Sequence, residues 1–219
     1  MEELKKNAAR LAIWNLAVPV MAGLLTMFAL SVFINNGVRN SVAWYVLFLA
    51  FTEIPLYIFY FIYWFRFLDS LKTCYDGNET VKNAVTMGNI ATILKVVCFA
   101  LGNIASLIII VGGHRYNGTI NGSECGLMPT GGIENIAHSI MFAIVVLMCI
   151  MFLMLREMTE KKSEMRYLTL ILPILIIMWS VIAINKTSPI WAALEIMVYV
   201  AEAMFFWKIY RGYVFADAK

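Results

Sequence analysis

Histidine is nearly absent from this sequence. His114 and His138 are the only two in 219 residues, which excludes a multi-histidine zinc, di-iron or haem site. Cysteine is scarce too. Cys74, Cys98, Cys125 and Cys149 are dispersed, with no CxxC and no Cys/His grouping, so no disulfide pairing is obvious. Charge is thin: 14% of residues are charged, against 62% hydrophobic, which is not the composition of a soluble domain. No basic tract is long enough to suggest nucleic-acid binding. Nucleotide loops, selectivity-filter motifs, catalytic-serine motifs, linkers and low-complexity tracts are also missing. The residues imply no metal and no cofactor.

What the chain does have is apolar length. Runs of about twenty apolar residues recur, each long enough to cross a bilayer as a helix. Six spans are expected, at about 11–34, 41–67, 84–111, 133–155, 167–184 and 189–210. The fold class is therefore all-α: a polytopic membrane protein, one domain over 1–219, arranged as a six-transmembrane-helix bundle of three consecutive hairpins. The first run follows a charged lead, MEELKKNAAR. It is too long for a signal peptide and no small-residue cleavage site follows it, so it reads as a retained helix, with Pro19 as a kink. Trp44 and Tyr45 at one end of the second span, and Tyr63 and Trp64 at the other, read as interfacial anchors.

The long polar insert at 113–132 holds two sequons, Asn117-Gly-Thr119 and Asn121-Gly-Ser123. Glycosylation at Asn117 and Asn121 would make this loop lumenal or extracellular. Charge gives a second argument. Lys5, Lys6, Arg10, Arg66, Lys72, Lys82, Arg156, Lys161, Lys162, Arg166, Lys208, Arg211 and Lys219 fall on one side, and only Arg39, Arg115 and Lys186 on the other. Thirteen against three places both termini in the cytoplasm by the positive-inside rule, and the sequon loop opposite. On this topology the sequon at Asn78 is cytoplasmic and Asn185 lies too close to the bilayer.

Ionisable groups inside a bilayer are costly, so each is a candidate functional residue. The set is Glu53, Lys95, Glu195, Glu202 and His138. Glu195 and Glu202 are seven apart and share a helix face. Lys95 either pairs with Glu53 or Glu202 and pins helix packing, or belongs with them to a polar cavity for a lipid headgroup or ion, or snorkels. Glu134 and His138, at i and i+4 near the lumenal face, suit a general acid–base couple or an interfacial hydrogen-bonded pair. Asn103, Ser106, Gly102, Ser180 and Gly23 suit close helix packing.

Three segments carry a family resemblance. FTEIPLYIFYFIYWFRFL, Phe51 to Leu68, resembles span two of the GPI-lipid-remodelling proteins of the Golgi, through Pro55, its aromatic series and Tyr63-Trp64. Those proteins belong with the damage-regulated autophagy modulators (DRAM) and Sfk. IENIAHSIMFAIVVLMCIMFLMLRE, Ile133 to Glu157, is similar to span four through Glu134-Asn135 and the Leu-Arg exit. Ala193-Leu194-Glu195, with an aromatic exit at Phe206-Trp207, resembles the opening of span six. Thr52, Leu56 and Ile133 stand where GPI-remodelling members carry histidine, arginine and histidine. The chain thus keeps packing residues while losing polar ones.

The resemblance implies six spans with cytoplasmic ends, and handling or remodelling of GPI-type lipid near the lumenal face of secretory-pathway membranes (Golgi or ER), or else a plasma-membrane location. Glu195, Glu134 and His138 are the catalytic candidates, with acyl transfer expected if the protein is an enzyme. The alternative is a non-catalytic accessory or regulatory subunit of a larger membrane complex, such as a channel or autophagy modulator. A small pore or transporter is a third reading. Partners would be membrane lipids and other membrane proteins, with no nucleic acid.

Overall fold

A computed structural model describes residues 1–35, 41–115, 130–182 and 189–215. The order is α1 (Glu2–Ala29), a π-helical turn (Leu30–Asn35), α2 (Ser41–Cys74), α3 (Glu79–Arg115), α4 (Thr130–Glu157), α5 (Glu164–Ile182) and α6 (Pro189–Tyr210). No strand occurs among the described residues.

These helices satisfy their own backbone groups, which is what a hydrocarbon environment demands. Pro19, Pro55 and Pro173 sit inside α1, α2 and α5 without ending them, as spanning helices tolerate. Among the described residues, five helices are long and apolar enough to cross a membrane, over Glu2–Phe33, Leu47–Cys74, Glu79–Ile104, Ser139–Glu157 and Glu164–Ile182. α6 has 22 residues and carries Glu195, Glu202 and Lys208. Large apolar side chains cover the outside: Ile13, Val20, Met27, Phe51, Phe142 and Val181 are all more than half exposed. In water such a surface would aggregate; against acyl chains it is the expected face.

Each helix packs against its neighbours in sequence, and α1 closes on α6, so the six form a ring. At the end of the ring that carries the α2–α3 and α4–α5 connections, the chain is fastened together. Gly77 takes the left-handed conformation, φ 87°, and the Asn78 side chain then caps α3 by accepting from Val81 N at 3.1 Å. α6 stops at Gly212, φ 102°, with Tyr213 N donating to Lys208 O at 3.1 Å and Gly212 N to Ile209 O at 3.0 Å, a Schellman ending. That reversal carries Phe215 under the bundle, where it is 2% exposed and its N–H donates to Tyr75 Oη at 2.9 Å. A surface ion pair joins Lys208 to Glu164; both are exposed, and such pairs contribute little.

The core corrects two readings of the sequence. Trp64 is not an interfacial anchor. It is fully buried, edge-on to Phe206 at 5.2 Å and to Phe67 at 6.5 Å, while Trp44 is 54% exposed. The close helix approach also lies elsewhere than expected. A Cβ at Gly23 or Gly102 would meet nothing within 4 Å. At Gly88 of α3 it would fall 2.7 Å from Met151 Sδ of α4 and 2.9 Å from Leu68 Cδ2 of α2. Gly88 is where α3 sinks between its two neighbours.

Candidate functional site

Inside the ring lies a cavity of about 300 Å³. α2, α3, α4, α5 and α6 contribute to its wall. Most of the wall is apolar, including Phe61, Phe99, Ile144, Val145, Met148 and Ile176. Its polar groups cluster on three helices. α6 presents Glu195, Tyr199 and Glu202, at i, i+4 and i+7 on one face; α2 presents Tyr57 and Tyr60; α3 presents Lys95.

The geometry at one end is set by Lys95. Its ammonium sits 4.9 Å from the centroid of the Trp64 ring, a cation–π contact made inside the bundle, where desolvation strengthens it. Glu202 is 3% exposed and interacts electrostatically with Lys95. Lys95 and Glu202 form no ion pair within 4.0 Å among the described residues, so carboxylate and ammonium flank the cavity without closing on each other. Lys95 is only partly buried, because its side chain lines open space.

Glu195 lies two turns along α6 from Glu202, about 10 Å by helical rise. Tyr199 falls between them and is in electrostatic reach of both, and of Tyr57. Tyr57 packs against Phe99, with ring centroids 4.6 Å apart and the rings tilted by 35°. On α2, Tyr60 is backed by α1: its hydroxyl donates to Asn15 Oδ1 at 3.2 Å, and Asn15 Nδ2 donates to Leu11 O at 3.1 Å. Asn15 has no exposed surface. A further donor, Trp179 Nε1, is buried without an acceptor among the described residues, and Trp179 also lines the cavity.

The residues singled out in the sequence therefore divide. Lys95, Glu195 and Glu202 meet at one cavity. Glu53 lies one turn before Tyr57, half-buried, and outside the cavity wall. Glu134 and His138 lie one turn apart on α4, with side chains outside the described set. Asn117 and Asn121 lie outside the described residues altogether. Asn15, Tyr57, Tyr60, Tyr199 and Trp179 were not singled out. The i, i+4, i+7 spacing of Glu195, Tyr199 and Glu202 was the signal that could have added Tyr199.

A cavity of this size is at the lower end of small-molecule pockets. With apolar walls, two carboxylates, one ammonium and phenolic hydroxyls, it can bury an apolar chain and satisfy a polar group at one or both ends. Among the described residues its wall includes Cys98 but no Ser, Thr or His, so no hydroxyl nucleophile with an adjacent histidine base faces it.

Fold and site together define the class: a multi-pass α-helical integral membrane protein with an amphipathic cavity lined by five of its helices. No family model, no curated protein and no solved structure matches the chain.

Proposed function

We propose that this is a six-span membrane protein with both termini cytoplasmic, and that it binds a single-chain segment or headgroup of a membrane lipid in its internal cavity. The observation that carries this reading is the cavity itself, which reaches Glu195 with apolar walls and holds Lys95 and Glu202 at its other end. α6 is then the sixth span. Its three ionisable residues fit that role, since Glu195 and Glu202 face the cavity and Lys208 sits in the last turn, at the basic end.

Glu195 lies toward the sequon-loop end of the bundle and Glu202 toward the basic end. On the positive-inside reading, Glu195 is the group nearer the lumen. A ligand polar at the lumenal end would meet Glu195 and Tyr57 first, with its apolar part directed toward Val145 and Met148. Handling of GPI-type lipid in secretory membranes is the form of this function that the family resemblance suggests. Among the described residues, carboxylates, phenols and an ammonium on the cavity wall can hold and orient a ligand, and no serine or threonine hydroxyl beside a histidine faces it, which favours binding over acyl transfer.

The test is purification of the intact protein in a mild detergent, followed by mass spectrometry of the lipids and proteins that come with it. The reading expects a bound lipid or lysolipid in the wild type and a reduced amount in Glu195→Ala. A stoichiometric protein partner with no specific lipid would overturn it in favour of an accessory subunit.

A further inference from the structure

A second cavity, of about 600 Å³, opens between α1 and α2 at the basic end of the bundle. Its wall carries three cations, Lys6, Arg10 and Arg66, and three carboxylates, Glu2, Glu3 and Asp69. It shares no residue with the internal cavity.

The arrangement of these charges is unusual for a solvated rim. Arg10 Cζ lies 5.6 Å, and Arg66 Cζ 5.9 Å, from the centroid of the same ring, Tyr63. Two guanidiniums from different helices thus converge on one phenol. Among the described residues, none of the six charged groups forms an ion pair within 4.0 Å. Like charges brought together without a carboxylate between them repel, and contact with an aromatic face offsets only part of that cost. Asn7 fixes the approach of the two helices by donating from Nδ2 to Arg66 O at 3.3 Å. Below Tyr63 the floor continues toward the bilayer as stacked rings. Trp14 lies 6.0 Å from Tyr63 and 5.8 Å from Phe59. Ile13 and Phe59 beside this column are 61% and 49% exposed.

We propose that this groove binds a phospholipid with a phosphoethanolamine headgroup. The phosphate lies between Arg10 and Arg66, the ammonium meets the carboxylates, and one acyl chain runs along Trp14 and Phe59.

The order of charges selects the headgroup. Of the groove's charged residues, Arg10 and Arg66 are the ones nearest the apolar part of their helices. Asp69 lies one turn further out on α2 and Glu3 two turns further out on α1, about 4.5 Å and 10 Å by helical rise. A phosphoethanolamine lipid has the same order, with phosphate next to the glycerol and ammonium beyond it. Guanidinium forks match phosphate oxygens, and a primary ammonium donates to carboxylates. A purely anionic headgroup would answer the cations and be repelled by Glu2, Glu3 and Asp69. A choline headgroup has no N–H to donate. Free phosphate or free phosphoethanolamine has no chain for the aromatic column.

Native mass spectrometry of the purified full-length protein tests this. The probes are phosphatidylethanolamine, phosphatidylcholine and phosphatidylglycerol with identical chains, together with free phosphoethanolamine and inorganic phosphate as competitors. The wild type is expected to hold phosphatidylethanolamine about tenfold more strongly than the other two lipids. R10Q/R66Q loses that binding about tenfold. E2Q/E3Q/D69N, altered only at exposed side chains, shifts the preference to phosphatidylglycerol. Neither competitor displaces the lipid. Equal binding of the three lipids would overturn the proposal, as would an unchanged preference in either variant or displacement by headgroup or phosphate alone. If R10Q/R66Q does not fold, the carboxylate variant decides the matter. A lipid lost with Glu195→Ala but retained in R10Q/R66Q belongs to the internal cavity, so the two sites are distinguishable.

Discussion

Tyr60 and Asn15 meet across the α1–α2 interface, hydroxyl to carboxamide at 3.2 Å, and both are buried. Tyr60 faces the internal cavity on its other side. The pair is therefore how α1, which does not line the cavity, supports its wall. Asn15→Leu leaves the Tyr60 hydroxyl without this partner and is expected to lower stability by about 1 kcal/mol. Asn15→Leu combined with Tyr60→Phe should lie closer to wild type than the sum of the single changes, because both ends of the bond are then removed. Unfolding of detergent-solubilised protein measures both, and simple additivity would show that the bond does not couple the helices.

Gly88 makes the second prediction. A methyl group there would run into Leu68 and Met151 at under 3 Å. Both neighbours are flexible ends that can shift, so Gly88→Ala is expected to cost about 1–3 kcal/mol, the range for overpacked cores. Gly88→Val should cost more. Gly23→Ala and Gly102→Ala have open space and should be close to neutral. A thermal-unfolding series over the four variants checks the order.

Lys95 and Glu202 are held at one end of the cavity by different helices. Lys95→Met leaves Glu202 in the bundle without its nearby cation, and Glu202→Gln does the reverse. Each single change is expected to destabilise, by less than the roughly 3 kcal/mol lost when a closed buried ion pair is broken, because the two charges flank the cavity without closing on each other. The double variant should recover part of that loss, with a coupling of about 1 kcal/mol or more. A double-mutant cycle with no coupling would mean that the two charges do not interact.

The existence and order of the helices were legible in the sequence, because runs of apolar residues separated by polar turns need no periodicity to be seen. Lys95, Glu195 and Glu202 were legible too, since an ionisable residue stands out against hydrocarbon. The inward faces were not. Lipid is as apolar as a packed core, so a spanning helix shows little contrast between its two sides. Tyr60, Trp64, Phe67 and Leu71 form the buried stripe of α2 while Tyr63 turns toward Arg10 and Arg66. Adjacent aromatics in one run thus have opposite roles. For the same reason Trp64 reads from sequence as an anchor, and Gly88 is no more conspicuous than Gly102. Asn15 was a polar residue in an apolar run whose partner, 45 positions away, only the fold reveals.

The most direct test of the central claim is to locate a bound chain. The purified protein is loaded with a lipid carrying a diazirine in its acyl chain, irradiated, and the labelled residues are identified by peptide mass spectrometry. Labelling of cavity residues such as Val145, Met148 and Val198, abolished by Val198→Trp, is the predicted result. Labelling confined to outward positions such as Phe142 and Ile196, and unchanged in Val198→Trp, would contradict a lipid-binding cavity.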